Sequence, residues 1–337
     1  MSKPVTSAGQ KRPAASKRKG RAVPRSPNDP RAQFNYLVAL PTVLVFIAVC
    51  TMVLFTLYVM TAEINRIDGD RSRKAIAAAL DSYVLRLGEQ VADEATWTEA
   101  YLNTYIQFNP AWLDGTWGTT ARANGHYDTA MISDAKGTIL FGETVHGPVT
   151  GMVADHLGAS EKLLSKLGAA IAQAGDDGVV AELARAGESA ISVVAAAVVH
   201  GVGGQVAIPA EDRRILWLAK RIEDPLLSEM AHLFQVPVPR LAVGVPAPPG
   251  HDELVLADAA GDEIGRLVWR PLRPGDAAFN HTAGIASMVM LIVGLLIFAV
   301  IMAFRRSVER RAEADERDWV GARYDASTGL LNRFGIE

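Results

Sequence analysis

The chain has 337 residues, 49% of them hydrophobic, with a formal net charge of −3 and a single cysteine. That length holds one or two domains with full-sized cores, and one cysteine excludes an intramolecular disulfide framework. The near-neutral total hides compartments of opposite sign: a basic N-terminal arm and an acidic middle.

Residues 1–33 set nine Lys and Arg against the single acid Asp29 and hold few apolar groups, a composition that stays disordered. This arm reads as a topology and anionic-lipid signal rather than a nucleic-acid contact. Residues 36–60 carry no charge and, at about 1.5 Å per residue, can cross a hydrocarbon core of roughly 30 Å. The long arm and long apolar block point to an uncleaved anchor rather than a signal peptide. Pro41 lies near one end of the block, where a kink costs least, and Tyr58 near the other, as interfacial aromatics do. Cys50 lies inside the block, so whatever follows must be held together by its core alone.

From Ala62 a helical pattern continues. Ile64, Ile67, Ile76, Leu80, Tyr83, Leu87 and Val91 recur mostly at steps of three and four. Asp93, Trp97, Tyr101 and Tyr105 extend it as a stripe at steps of four, and Asn109 with Pro110 stops it. The pattern predicts one long helix joining the membrane to an external domain. The aromatic stripe fits a ligand pocket, with Asp93 as a partner for a ligand cation; it equally fits core packing, with Asp93 in solvent.

Short strands follow. Asn124 and Gly125 give a hairpin signal ahead of a strand over 127–133. Residues 131–141 read as strand, tight turn and strand, with Asp134 and Gly137 in the turn. A unit of the same type recurs over 254–269 around Asp258 and Gly261, which predicts a sheet that returns on itself late in the chain. Between the two, residues 151–174 read as an amphipathic helix interrupted at Gly158 and Gly168. Residues 190–200 and 214–222 are strand-like, and 241–245 is a possible strand inside a Pro-rich connection. Asp224 caps a further helix, with Pro225 at its first position. Gly201 to Gly204 lacks the Lys-Ser/Thr of a phosphate loop and reads as a flexible turn. The seven histidines show no metal-ligand spacing, so no metal site is expected. The fold class is α+β, with helices against an antiparallel sheet.

Residues 282–304 form a second uncharged block, followed by Arg305, Arg306, Arg310 and Arg311. Basic flanks on both blocks put both termini in the cytoplasm and residues 62–280 outside. Beyond the second block, Val308, Ala312, Asp315, Trp319 and Ala322 alternate steps of four and three, a short heptad seam with one polar position. A solvated charged helix fits the same residues. As a seam it would make a weak parallel homodimer that Asp315 keeps loose; Asp315→Leu should then tighten association measured by crosslinking.

Residues 62–276 resemble the fourth class of CHASE sensor domains, an extracellular family related in shape to PAS and Cache modules. Asp93, Trp97 and Tyr101 on the first helix carry the resemblance, followed by Asn109, Ile132, Asp134 and Gly137, then by Asp258, Gly261, Gly265, Leu267, Trp269, Pro274 and Gly275. Thr98 stands where members usually carry Asp after the tryptophan. Residues 325–337 resemble the start of a GGDEF diguanylate cyclase domain. Asp325, Thr328, Gly329, Leu330, Asn332 and Arg333 match its opening motif, and Ser327 replaces a leucine. The two resemblances imply a membrane sensor of a bacterial cyclic di-GMP signalling protein, set in the inner membrane with a periplasmic or extracellular domain. Its architecture would be a disordered arm (1–33), a transmembrane helix (36–60), the sensor domain (62–276), a second transmembrane helix (282–304), a signalling helix (305–324) and the start of a GGDEF domain. The cyclase residues that bind GTP and Mg are not among these 337. The chain is therefore expected to need no cofactor and to catalyse nothing by itself, and the resemblance leaves room for a phosphodiesterase domain in the whole protein. The expected partners are the lipid bilayer, an extracytoplasmic ligand of unknown identity and a second copy of the chain. The alternatives are the sensor region of a histidine kinase and a non-signalling membrane-anchored binding protein. No histidine lies beyond His281, where a kinase would need its phosphoacceptor.

Overall fold

A run of eight residues, Ile191–Val198, is buried at every position, so it must be covered on both faces and paired on both edges. The computed structural model, which describes residues 34–202 and 208–323, places this run inside a sheet. The chain divides into two units: Tyr58–Asn280, and the apolar segments on either side of it.

In Tyr58–Asn280 six strands form the main sheet: β1 (Thr129–Ser133), β2 (Ile139–Thr144), β3 (Gly147–Pro148), β4 (Val179–Arg185), β5 (Ile191–Val198) and β6 (Ile215–Arg221). Their order is β3-β2-β1-β6-β5-β4, with every neighbouring pair antiparallel. Three more strands, β7 (Arg240–Ala242), β8 (Asp252–Ala257) and β9 (Glu263–Trp269), form a second antiparallel sheet in the order β7-β9-β8. The helices are α1 (Leu40–Ala95), α2 (Thr98–Tyr101), α3 (Pro110–Leu113), α4 (Thr119–Arg122), α5 (Val153–His156), α6 (Ser160–Ala174), α7 (Asp224–Phe234) and α8 (Pro274–Arg323).

Register decides what each face of the main sheet carries, because directly paired residues share a face. Ile132 pairs Leu216, which pairs Ala197; Met131 pairs Trp217, which pairs Ala196. The first face, with Ala130, Val193, Ala195 and Leu218, packs against Ile76, Leu80, Leu87 and Val91 of α1. The second face packs against Leu163 and Leu167 of α6 and Val153 and Leu157 at α5. Gly88 of α1 comes so close to β4 that an added Cβ would lie 3.1 Å from the methyl of Ala181. On the second face the Trp217 indole donates to the hydroxyl of Ser133 at 2.9 Å, so this fully buried ring leaves no polar atom unmet. Leu256, Ile264, Leu267 and Trp269 of the second sheet join the core on the α1 face.

The two Asp/Gly turns form as expected and are built alike. Asp134 accepts the N–H groups of Lys136 and Thr138, and Asp258 those of Ala260 and Asp262. Gly137 and Gly261 follow at φ of 88° and 89°, the left-handed region where a Cβ is disfavoured. The second unit, however, does not return to the main sheet; it makes the separate one, because β9 pairs with β7 and β8 alone.

Several other expectations need correction. The long helix does not run to Asn109: it stops at Ala95, whose carbonyl accepts the N–H of His200 at 3.0 Å, and Trp97 is extended at φ −81° and ψ 137°. Asn109 begins a helix rather than ending one, since its side chain accepts the N–H of Trp112 and Pro110 follows in the first turn. Asn124 and Gly125 make no hairpin. They close α4, with Asn124 at φ 53°, and Lys220 binds the Asn124 carbonyl and amide oxygens and the Gly125 carbonyl. Gly168 lies inside α6 without interrupting it, whereas Gly158 does fall in the break between α5 and α6. Glu223, one residue before Asp224, is the boundary residue of α7.

In the other unit, the apolar start of α1 and the apolar part of α8 are long and hydrophobic enough to cross a membrane, and neither is buried within the protein. Thr42, Thr51 and Thr56 return their hydroxyls to carbonyls four residues back, which removes polar groups that lipid could not satisfy. A wide π turn, Asn35–Ala39, precedes Pro41, a usual accommodation where proline removes a ladder N–H. At Gly294 an added Cβ would lie 3.2 Å from the Phe46 ring, so the missing side chain lets the two apolar helices approach.

Candidate functional site

The second face of the main sheet is not wholly covered by α6. At the end where β1 begins and β6 finishes, a cavity of about 280 Å³ remains between the sheet, α5 and the turns beside it. Strand parity fills its floor. Thr129 pairs Thr144 across β1 and β2, Ser192 pairs Arg221 across β5 and β6, and Met131 lies two residues beyond Thr129 on the same face. The β2–β3 turn supplies His146, and α5 with the loop beside it supplies Val149, Asp155, His156 and Leu157.

Most of the polar walls are held by their own bonds. Thr144 donates its hydroxyl to the Gly147 carbonyl at 2.9 Å and accepts the His146 N–H at 3.1 Å, fixing the turn that carries the imidazole. Nε2 of His156 donates to the Thr150 carbonyl at 2.9 Å. Asp155 accepts the N–H of Met152 at 2.9 Å and caps α5. Asp128, 4% exposed, accepts the Arg221 backbone N–H at 2.8 Å and the Thr129 hydroxyl at 3.0 Å, tying β6 to β1. The guanidinium of Arg221 reaches Nε2 of His146 at 3.3 Å. Arginine can only donate, so Nε2 is the acceptor in that contact.

The sequence-predicted residues lie elsewhere. Tyr101 and Tyr105 stack with centroids 5.1 Å apart and are half-buried. The Tyr105 hydroxyl accepts the N–H of Arg214 at 2.5 Å, and burial pushes its pKa up to about 12. Trp97 stands at the break after α1, 42% exposed, and Asp93 is exposed on the last turn of that helix. None of the four lines the cavity. The break at Thr96 takes Tyr101 and Tyr105 out of helical register with Asp93, so the stripe is not one surface. Residues 325–333, and the side chains of the heptad positions beyond Val308, lie outside the described residues.

One further group stands out near the end of α1. Burial raises the pKa of Glu94 above the usual carboxylate range, against a bond from the Gln90 amide at 3.4 Å. A wider and more open groove of about 860 Å³ runs along residues 249–280, past Arg270, Arg273 and Asn280. Among the described residues no group of three or more His, Cys, Asp or Glu could hold a metal ion. Sequence reasoning missed the cavity residues because they are drawn from positions 129 to 221. The available signal was polar residues at the ends of otherwise aliphatic strands, Thr129 before Met131 and Arg221 after Ala219; register was needed to bring them together.

The domain is α+β, with a long first helix and antiparallel sheets, and two candidate membrane helices bracket it in the sequence. More particularly, residues 79–239 match the CHASE4 domain. Two solved structures share part of the shape. The periplasmic domain of Vibrio cholerae LuxQ is 12% identical, with a TM-score of 0.37, over 61% of this chain and 98% of that one. The extracellular domain of vpHK1S-Z8, named as a candidate histidine kinase, is 10% identical, with a TM-score of 0.36, over 60% and 93%. No curated relative matches the chain.

Proposed function

We propose that this chain is the receptor region of a bacterial inner-membrane protein whose output is cyclic di-GMP synthesis. The observation that carries the receptor reading is the CHASE4 match lying between two candidate spans. The cyclase output rests on the resemblance of Asp325, Thr328, Gly329, Leu330, Asn332 and Arg333 to the opening of a GGDEF domain. Basic residues flanking both apolar blocks support cytoplasmic termini.

The structure suggests how a signal would leave the domain. Asn65 of α1 accepts the N–H of Gly275 at 2.8 Å and donates to the Asp276 carboxylate at 2.8 Å. It thereby satisfies an N–H that the first turn of α8 cannot satisfy itself. Both helices run on without interruption into the apolar blocks. A ligand that binds one arrangement of the domain better than another shifts their equilibrium by that difference alone. The Asn65 clamp would pass the shift to both helices at one level. Two copies meeting through the heptad seam after residue 305 would face two cyclase half-sites, which joining two GTP molecules requires.

The test is to graft a complete cyclase domain after Arg333 and measure cyclic di-GMP in cells, with and without substitutions in the external domain. Output that follows those substitutions supports the reading. Constant output would assign the chain to a non-signalling anchored protein. Histidine autophosphorylation of the full-length gene product, with cyclic di-GMP unchanged, would assign it to a kinase.

A further inference from the structure

We infer that the cavity between β1, β2, β6 and α5 binds a small aliphatic carboxylate through the guanidinium of Arg221. The inference rests on the receptor reading above and names the ligand class of that receptor.

The argument starts from charge. Arg122, Arg213 and Arg266 each meet a carboxylate within the domain. Among the described residues Arg221 makes no such ion pair, and its side-chain partner is the imidazole of His146. The buried Asp128 carboxylate binds the Arg221 backbone N–H and the Thr129 hydroxyl, and makes no ion pair with the guanidinium. A half-buried, permanently charged fork is thus left facing a cavity, and a planar carboxylate meets such a fork with two parallel bonds. Ser192, opposite Arg221 in register, adds a hydroxyl beside it.

The rest of the lining sets the body of the ligand. Met131, Val149 and Leu157 give an apolar wall, suited to an aliphatic chain rather than a sugar. With about 30 Å³ per water-sized group, a 280 Å³ cavity holds roughly nine non-hydrogen atoms. Asp155, on the exposed side, opposes a second negative charge and tolerates an ammonium. The site therefore favours one carboxylate over a dianion such as phosphate, and accepts an amino acid as well as a simple acid.

The experiment uses the full chain in lipid nanodiscs and titrates 4-methylpentanoate, leucine and isopentylamine by calorimetry. These carry the acid alone, both groups and the amine alone on similar aliphatic chains. Saturable binding of at least one acid, with the amine weaker, is expected. Arg221→Gln should weaken the acid about ten- to hundred-fold, the worth of a charge-assisted pair, and Arg221→Lys should restore part of it. Thermal unfolding without ligand checks that the variants fold, and the acid–amine comparison on the unaltered chain needs no variant. The assignment is overturned if the amine binds as tightly as the acids, if neither acid saturates in the millimolar range, or if a folded Arg221→Gln protein binds as before. Inorganic phosphate binding where neither acid competes would overturn it too. Because binding is read directly, its failure leaves the cyclic di-GMP reading standing, and a silent graft leaves the carboxylate site standing.

Discussion

Gly275→Ala would strike the contact between α1 and the first turn of α8. A Cβ built at Gly275 lies 2.4 Å from the backbone carbonyl oxygen of Thr61 and 2.7 Å from the side-chain oxygen of Asn65. Ordinary contact of such atoms needs roughly 1 Å more. Asn65 can rotate away, but only by giving up its bonds to Gly275 and Asp276; the Thr61 carbonyl cannot rotate, so α1 and α8 must part. Overpacking of this kind costs about 1–3 kcal/mol, and two weakened hydrogen bonds add about 1 kcal/mol each. For a domain of this size a loss of 1 kcal/mol lowers Tm by roughly 2–4 °C, so a fall of about 6–20 °C is expected in thermal unfolding of the full chain. Asn65→Ala removes the bonds without the overlap and should cost less, and the double variant should fall short of the sum. An unchanged Tm for Gly275→Ala would refute the clamp. In the grafted cyclase, both single variants should blunt the response to external substitutions.

Other outcomes follow from the same coordinates. Ser133→Ala leaves the buried Trp217 indole N–H without its acceptor and should cost about 1–3 kcal/mol in chemical unfolding. Glu94 has a folded pKa raised by burial, so its ionisation penalty is absent below the ordinary carboxylate pKa and complete above the raised one. Glu94→Gln should therefore raise Tm at alkaline pH and change it little in acid; the reverse order would remove this account. Asp134 is the opposite case: burial would raise its pKa, but the N–H groups of Thr138 and Lys136 hold it below the usual range. Its contribution is present above the ordinary carboxylate pKa and lost as pH falls through the lowered one. Asp134→Ala should lower stability by about 1–2 kcal/mol at neutral pH and converge with the unaltered protein in strong acid, as unfolding curves at several pH values would show.

Composition, charge and periodicity carried much of the fold because local chemistry alone determined those parts. The apolar blocks are apparent from the absence of charge over more than twenty residues. The strands over 190–200 and 214–222 showed as β-branched and aliphatic runs, and the turns at Asp134 and Asp258 are built from side chains two to four residues from the N–H groups they bind. What failed was decided at long range. Nothing near Ala95 marks the end of α1; the N–H of His200, two residues beyond β5, takes the last carbonyl. Asn124 and Gly125 carry a hairpin signal, yet Lys220 of β6 holds them as the close of a helix.

The same division separates the two candidate sites. The aromatic stripe from Asp93 to Tyr105 was legible because helical spacing is a local property, and the break at Trp97 undoes it as a single surface. The cavity was illegible because Thr129, Ser192 and Arg221 become neighbours only through the pairing of β1, β6 and β5. The sequence by itself determined that the chain has two segments long and apolar enough to cross a membrane with a mixed domain between them, since hydropathy and charge act within a segment. Only the tertiary structure decided where an unpaired guanidinium faces an empty space, since strand register is a property of segments that meet far apart in the chain.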